Sequence, residues 1–412
     1  MVCIALTLAI ASATVERQRA QTRSERRDSP WETSRFTLGN EQKRKIRLTL
    51  ASLLFRLMKT GKITANPFQL CGPDARILVI RQQNQMGDML LATPCLRALR
   101  QSIPGSWITL LASHENAAVV LNNPHVDEVL VYDKRVFRRN PLALVNFIQS
   151  LRRRNFGISI VLSTVSFSVT SAILCVMSGA KYKVSYSGSS YGLGFVDQAF
   201  QVSVPLEDNG AHQTTLGLKL LEYFGVTTRD LSPIMVPDKE EEQFAGEFVA
   251  RSFSRASDKG IVVGIHPGAG KSKNRWAASR FAEIANELHQ KKAASIVVIG
   301  GPSDAQVLDT VLNALAFKAA VLTGESLGRV AAVMKRLSLL LCNDTGVLHV
   351  AAAVGCPTLA LFGPTDPSRW APLSKFVRVL RAPGTRMDEL KKEDVLESAV
   401  EIISSKGEPG AP

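Results

Sequence analysis

The chain has 412 residues, 45% hydrophobic and 21% charged, the composition of an ordinary globular protein long enough for two domains. No apolar run reaches the roughly 18 residues that a bilayer-spanning helix needs. Six scattered cysteines (Cys3, Cys71, Cys95, Cys175, Cys342, Cys356) form no C-x-x-C pair, so their spacing offers neither a disulfide framework nor a zinc site and reads as reduced thiols.

The formal charge of +14 is uneven. Residues 1–62 hold 13 Lys/Arg and 5 Asp/Glu, a net of +8, which leaves +6 for the other 350 residues. These charges lack interleaved aromatics or a nucleic-acid motif, so they point to membrane phosphate as a partner and away from nucleic acid. Residues 1–14 are apolar and end in Ala-Ser-Ala, but no Lys or Arg precedes them as a signal peptide requires. Residues 1–42 are therefore expected to be a disordered or mis-started tail. Over 43–62 the sequence predicts a basic amphipathic helix. Ile46, Leu50, Leu53, Leu54, Leu57 and Met58 share one face, with Lys43, Arg44, Lys45, Arg47, Arg56 and Lys59 at its two ends. Such a face suits an anionic membrane surface, through residues 43–59, and equally the protein's own first domain.

From residue 76 onward short β-branched runs alternate with helical segments. Strands are expected at Ile77–Ile80, Trp107–Leu111, Val129–Tyr132 and Ile158–Leu162, and helices at Asp88–Gln101, Pro141–Arg153, 166–178 and His212–Phe224. Two prolines and a charge run over 229–243 mark a boundary. A second series then runs from strand Ile261–Ile265 to strand Thr358–Phe362, and a last amphipathic helix over 386–405 is placed to cross back to the first domain. The predicted class is α/β: two doubly wound Rossmann-like domains, 73–232 and 240–385, facing a cleft that takes ligands at the carboxyl ends of the strands.

The loops after those strands carry the candidate chemistry. The first strand leads through Met86 and Gly87 to Asp88, which can cap a helix or act as general base. The second domain opens on His266-Pro-Gly268-Ala-Gly270-Lys271-Ser-Lys273-Asn-Arg275-Trp276. Its glycines let a phosphate approach the backbone and its cations can neutralise a diphosphate, although neither a Walker loop nor G-x-G-x-x-G is present. Gly300-Gly301 follows another strand. In Asn343-Asp344-Thr345-Gly346-Val-Leu-His349 the helix start favours an anion, with His349 one turn along.

These motifs, in this order, resemble glycosyltransferase family 9, the heptosyltransferases of lipopolysaccharide core assembly. The resemblance rests on Ile77–Arg100, His266-Pro-Gly, Arg275-Trp276, Gly300-Gly301, Leu322-Thr-Gly324, Asn343–His349 with its Ala-Ala-Ala, and Leu361-Phe-Gly-Pro-Thr365, across about residues 76–382. It implies a GT-B fold and inverting, metal-independent transfer from a nucleotide-diphosphate heptose such as ADP-heptose, with no cofactor, onto a glycolipid or glycan acceptor. Asp88 then corresponds to the catalytic base, with Gly87 and Met86 in the acceptor-side loop. Asp344, Thr345 and Gly346 correspond to the donor-binding triplet, and His349, Gly268, Lys271, Lys273, Arg275, Gly300 and Gly301 line the same pocket. The chain departs from the family at Asn274, where a lysine is usual, and at Ala277, where proline is. The expected location is cytoplasmic, either free or peripheral on the inner face of the cytoplasmic membrane. The alternative is a nucleotide-sugar binding protein with a degenerate site.

Overall fold

The computed structural model describes residues 40–82, 85–253 and 260–405, with the backbone alone over 40–47. The tail expected over 1–42 therefore falls outside the described residues up to 39; a helix begins at Asn40. Two compact units emerge. The first takes the chain up to Gln82, Ile103–His114 and Leu130–Glu207; the second takes Gln83–Ser102, Glu115–Val129 and Asp208 onward.

The first unit is built on a six-stranded sheet in the order β3-β2-β1-β4-β5-β6. Its strands are β1 (Arg76–Arg81), β2 (Trp107–Ser113), β3 (Glu128–Tyr132), β4 (Ile158–Val161), β5 (Tyr182–Tyr186) and β6 (Val202–Val204). β1 pairs in parallel with both β2 and β4, so the chain reverses its direction of travel across the sheet between β1 and β4. Continuous burial of Ile77–Arg81 fits a strand covered on both faces. β5 and β6, which the alternating pattern does not mark, complete the edge.

The helix Asn40–Leu57 belongs to this unit, and it corrects the face read from the sequence. Ala51, Leu54, Phe55 and Met58 are buried in the unit's core, while Leu50, Leu53 and Leu57 are 41%, 52% and 73% exposed. The ring of Phe55 packs 5.9 Å from that of Phe195. Beyond the helix, Thr60 N–H donates to Gln198 O at 2.9 Å, and Lys62 Nζ donates to Asp197 O at 2.7 Å. Full burial of Phe55 alone contributes on the order of 2 kcal/mol.

The second unit holds the sheet β12-β11-β10-β7-β8-β9, with β7 (Val262–His266), β8 (Ser295–Ile299), β9 (Ala320–Leu322), β10 (Leu339–Asn343), β11 (Thr358–Phe362) and β12 (Val377–Arg381). Its pairings are parallel, and the reversal falls between β7 and β10, where Cys342 aligns with His266. The charge run of the expected boundary opens a helix, Lys239–Ser252, because Asp238 and Glu241 form a reciprocal capping box. The last helix, Lys392–Ser405, does not leave this unit as its sequence position suggested. Val395, Ala399 and Ile403 are buried in the same core as Ile265, Phe281 and Leu341, which satisfies its apolar face locally.

Candidate functional site

Strand order places a ligand crevice where neighbouring connections diverge, here beyond the carboxyl ends of β7 and β10. The two ends are locked together by Asn343, which is fully buried. Its Nδ2 donates to Pro267 O at 2.8 Å, and its Oδ1 accepts from Trp276 N–H at 3.0 Å. Trp276, itself buried, donates from Nε1 to Leu390 O at 3.2 Å, which anchors the loop's far end. Arg275 folds back on the same loop, donating from Nε and Nη2 to Ala269 O at 2.9 and 2.8 Å. The loop 267–276 is thus held from both sides, with Gly270, Lys271 and Lys273 exposed.

The paired glycines have close-approach roles. A Cβ on Gly268 would stand 2.4 Å from Asp304 Oδ1, and one on Gly300 would stand 2.4 Å from Leu308 Cδ1. Asp304 is buried and its Oδ2 accepts from Gly301 N–H at 2.9 Å, so it braces the β7 and β8 loops against each other. His266 joins the same pair of strands through Nδ1, 2.9 Å from Ile299 O. Its burial holds its pKa below the ordinary histidine value, in favour of the neutral ring.

Asp344 collects three strand ends. Its N–H donates to Leu361 O at 3.0 Å, and its Oδ2 accepts from Asn274 Nδ2 at 2.8 Å. Asn274 Nδ2 also lies 3.2 Å from Thr365 Oγ1, and the Thr365 hydroxyl bonds the carboxylate. Burial raises the Asp344 pKa above the usual aspartate value, against the opposing effects of Thr365, Lys271 and Asn274. The following helix, Gly346–Ala353, starts at Thr345, whose side chain makes no capping bond to it. Its first-turn amides are therefore left uncapped by Thr345, the arrangement in which a helix start accepts an anion.

The short helix Met86–Leu90 packs directly on this one. A Cβ on Gly87 would meet His349 Cδ2 at 2.7 Å, and a Cβ on Gly346 would meet Met86 Cγ at 2.9 Å. Two glycines thus allow two helix starts to touch, and Asp88, 9% exposed, sits in the first turn of its helix, where Gln85 holds the cap position. The single helix expected over Asp88–Gln101 is two, Met86–Leu90 and Thr93–Ser102. The break is turned by Leu91 and Ala92 and fixed by Thr93 Oγ1 donating to Leu90 O at 2.7 Å, next to Pro94. His349 is buried, and its Nδ1 has no hydrogen-bond partner among the described residues. Burial, with a smaller effect from His212, lowers its pKa from 6.5 to about 4, so the ring is neutral at pH 7. His212 is held by Ala371 O at 2.7 Å from Nε2 and accepts Thr214 N–H on Nδ1 at 3.1 Å.

The second unit therefore brings together Met86, Gly87, Asp88, Asp344, Thr345, Gly346 and His349 as one wall, and Gly268, Lys271, Lys273, Arg275, Gly300 and Gly301 on the loops beside it. Gln83 and Asn84 of the first loop lie outside the described residues. Sequence reasoning gave Asp304, Thr365 and His212 no role of their own, and took Asn343 only as the start of a motif. Their signal was position after a strand or before a helix, shared with many residues that only cap. The stretch from Tyr186 to Tyr191, in the first unit, is tied up by internal partners. Tyr186 is buried, Tyr191 Oη donates to Ser163 O at 2.6 Å, and Ser187 Oγ donates to Asp197 Oδ2 at 2.6 Å.

Comparison with known proteins bears on this arrangement. The family model described as glycosyltransferase family 9 (heptosyltransferase) matches residues 144–400, so the Gly87-Asp88 motif precedes the matched span. Lipopolysaccharide heptosyltransferase 3 of Escherichia coli K12 is 26% identical over 303 residues, 71% of this chain and 83% of its own. Lipopolysaccharide heptosyltransferase 2 of the same strain is 26% identical over 338 residues, 78% of this chain and 92% of its own. Among solved structures, the glycosyl transferase family 9 protein of Veillonella parvula superposes with a TM-score of 0.73 at 26% identity, covering 83% of this chain and all of that one. E. coli heptosyltransferase II gives 0.65 at 22% identity, covering 81% and 100%, a likeness of fold. With two parallel six-stranded sheets of GT-B type and a family match over most of its length, the chain belongs to glycosyltransferase family 9 and is a glycosyltransferase.

Proposed function

We propose that this enzyme transfers a heptose from ADP-heptose onto a lipopolysaccharide-core-type glycan with inversion, Asp88 acting as general base. Asp88 takes the proton from the attacking acceptor hydroxyl, the sugar-to-diphosphate bond breaks, and ADP leaves. The observation that carries this reading is the packing of the Asp88 helix on the Gly346–Ala353 helix through Gly87 and His349. A buried carboxylate and an uncapped helix start then belong to one wall, which suits a base and a leaving-group site for the same bond. The amides after Thr345, with Lys271 nearest Asp344, supply the charge that a metal-independent transfer needs at the diphosphate. E. coli heptosyltransferase WaaC, which has this fold, has been solved with ADP and with ADP-2-deoxy-2-fluoro heptose, which supports the donor. The relatives are named lipopolysaccharide heptosyltransferases, which supports the acceptor; the same reading puts the reaction at the inner face of the membrane.

Replacing Asp88 by Asn tests the base. General-base catalysis is worth about 10²–10⁴-fold, so transfer falls by that factor while ADP still raises the melting temperature. Unchanged transfer removes Asp88 from the mechanism. ADP stabilisation with no transfer by the wild type, for any heptose donor, leaves the nucleotide-sugar binding protein instead. Full activity after exhaustive chelation is expected, and its loss would overturn the metal-independent part.

A further inference from the structure

The helix Asn40–Leu57, with Met58 just after it, carries two apolar stripes about a third of a turn apart. One, Ala51, Leu54, Phe55 and Met58, is consumed by the first unit's core. The other, Leu50, Leu53 and Leu57, is exposed by 41%, 52% and 73% and has no counterpart to pack on in that core. Arg56 and Lys59 are exposed on the same helix and just beyond it. An isolated exposed leucine is ordinary, but three at i, i+3 and i+7 on a docked helix form a continuous ridge.

Charge says what the ridge fits. Over residues 40–82, 103–114 and 130–207, the first unit from its first helix onward, there are 18 Lys/Arg and 5 Asp/Glu, a net of +13. The second unit has 26 Lys/Arg and 27 Asp/Glu, a net of −1. Nearly the whole excess of the molecule thus sits on the unit that presents the leucine ridge. A short basic helix, Lys134–Arg139, adds exposed Val136, and Leu142 follows at 74% exposure. A second copy of this chain docked through the same unit is a poor occupant, because two units of +13 repel. A neutral apolar partner leaves the charge unexplained.

We infer that the first unit docks on an anionic bilayer surface, with Leu50, Leu53 and Leu57 entering the acyl boundary and the surrounding cations facing lipid phosphates. A ridge of three leucines inserts shallowly and depends on the charge, so binding requires anionic lipid and weakens with salt. The helix is anchored to the unit by Phe55 and by the Thr60 and Lys62 bonds, so it positions the whole unit and not a loose tail. The purpose of such docking, presenting a lipid-borne acceptor, rests on the proposed function; the docking itself does not.

The test uses the full chain and vesicles of phosphatidylcholine with or without phosphatidylglycerol, read by co-sedimentation. The wild type should bind only the anionic vesicles. The Leu50→Ser, Leu53→Ser, Leu57→Ser variant should bind at least about ten-fold more weakly, with unchanged melting temperature and unchanged stabilisation by ADP. Arg56→Glu with Lys59→Glu, which keeps the leucines, should also lose about ten-fold and guards against misfolding of the first variant. Equal binding by wild type and both variants overturns the inference. So does absence of wild-type binding to anionic vesicles, whether the ridge is then covered by residues 1–39 or by a second copy in gel filtration. Because no transfer is measured, failure here leaves the Asp88 assignment untouched, and failure of that assignment leaves this one.

Discussion

Gly87→Ala addresses the contact on which the site depends. The new methyl carbon would lie 2.7, 3.1 and 3.2 Å from Cδ2, Nε2 and Cγ of His349. Ordinary carbon contacts begin near 3.5 Å, so one partner must withdraw by about 0.8 Å. His349 is buried, and its helix packs on β10 and β11, so the short Asp88 helix is the part that yields. Overpacking of this kind costs about 1–3 kcal/mol, while alanine returns up to about 1 kcal/mol in helix propensity, so the net stability loss stays near 1–2 kcal/mol. Catalysis is far more sensitive: a displacement of about 1 Å from attack geometry can cost about 100-fold. Steady-state transfer from ADP-heptose should therefore show kcat reduced by at least about 30-fold with only a small drop in melting temperature. The same substitution made in a His349→Ala background should cost much less, since the ring it meets is gone. A kcat within about three-fold of wild type, or an equal loss in both backgrounds, would refute the claim that this contact positions Asp88.

Two further outcomes follow from the same wall. His349 has a folded-state pKa depressed from 6.5 to about 4, so its contribution to stability is full above pH 6.5 and is lost as pH falls toward 4. At pH 5 the loss is about 2 kcal/mol, and it should appear as a change in the urea-midpoint difference between wild type and His349→Gln when the pH is lowered from 7.5 to 5. Asp344 runs the other way, its raised pKa easing the folded state at acid pH, which is why the comparison is made between variants. Asn343→Ala should cost about 2–4 kcal/mol, because it strands Pro267 O and the Trp276 N–H inside the unit. Thermal melts should show this together with a smaller ADP shift; a neutral Asn343→Ala would mean that the loop is held by something else.

Much of this site could be read from sequence because its constraints are local. Gly87, Gly268, Gly300 and Gly346 are each required by a close approach that a side chain would obstruct, and each follows a strand that a short apolar run announces. The first helix was only half legible. Its leucines, tallied on one face, gave a stripe, but Ala51 and Phe55 decide which stripe is buried, and that depends on Phe195 some 140 residues away. β6 and β12 escaped notice because short edge strands carry little apolar periodicity, and β5, an interior strand, because Tyr-Lys-Val-Ser-Tyr is no apolar run. Asp304 and Thr365 were out of reach for a related reason. An Asp or Thr after a strand has the same local signature whether it caps a helix or ties two loops, and only the tertiary partners, Gly301 and Asp344, tell the two apart.

Asp344 poses an apparent conflict of charge, since a carboxylate stands where a diphosphate is proposed to depart. Its bonds remove the difficulty. One oxygen accepts from Asn274, the Thr365 hydroxyl bonds the same carboxyl group, and the backbone N–H goes to Leu361. The side chain is thereby committed to tying the ends of β7, β10 and β11, while the helix start after Thr345 keeps amides that no Thr345 side-chain bond occupies. Had Asp344 been the cap, its negative charge would have consumed the same dipole that the leaving group needs. Asn274 is what permits the division. A lysine there would neutralise the carboxylate by charge, whereas the amide holds it by a directed hydrogen bond and leaves the local cation, Lys271, on the exposed side of the loop.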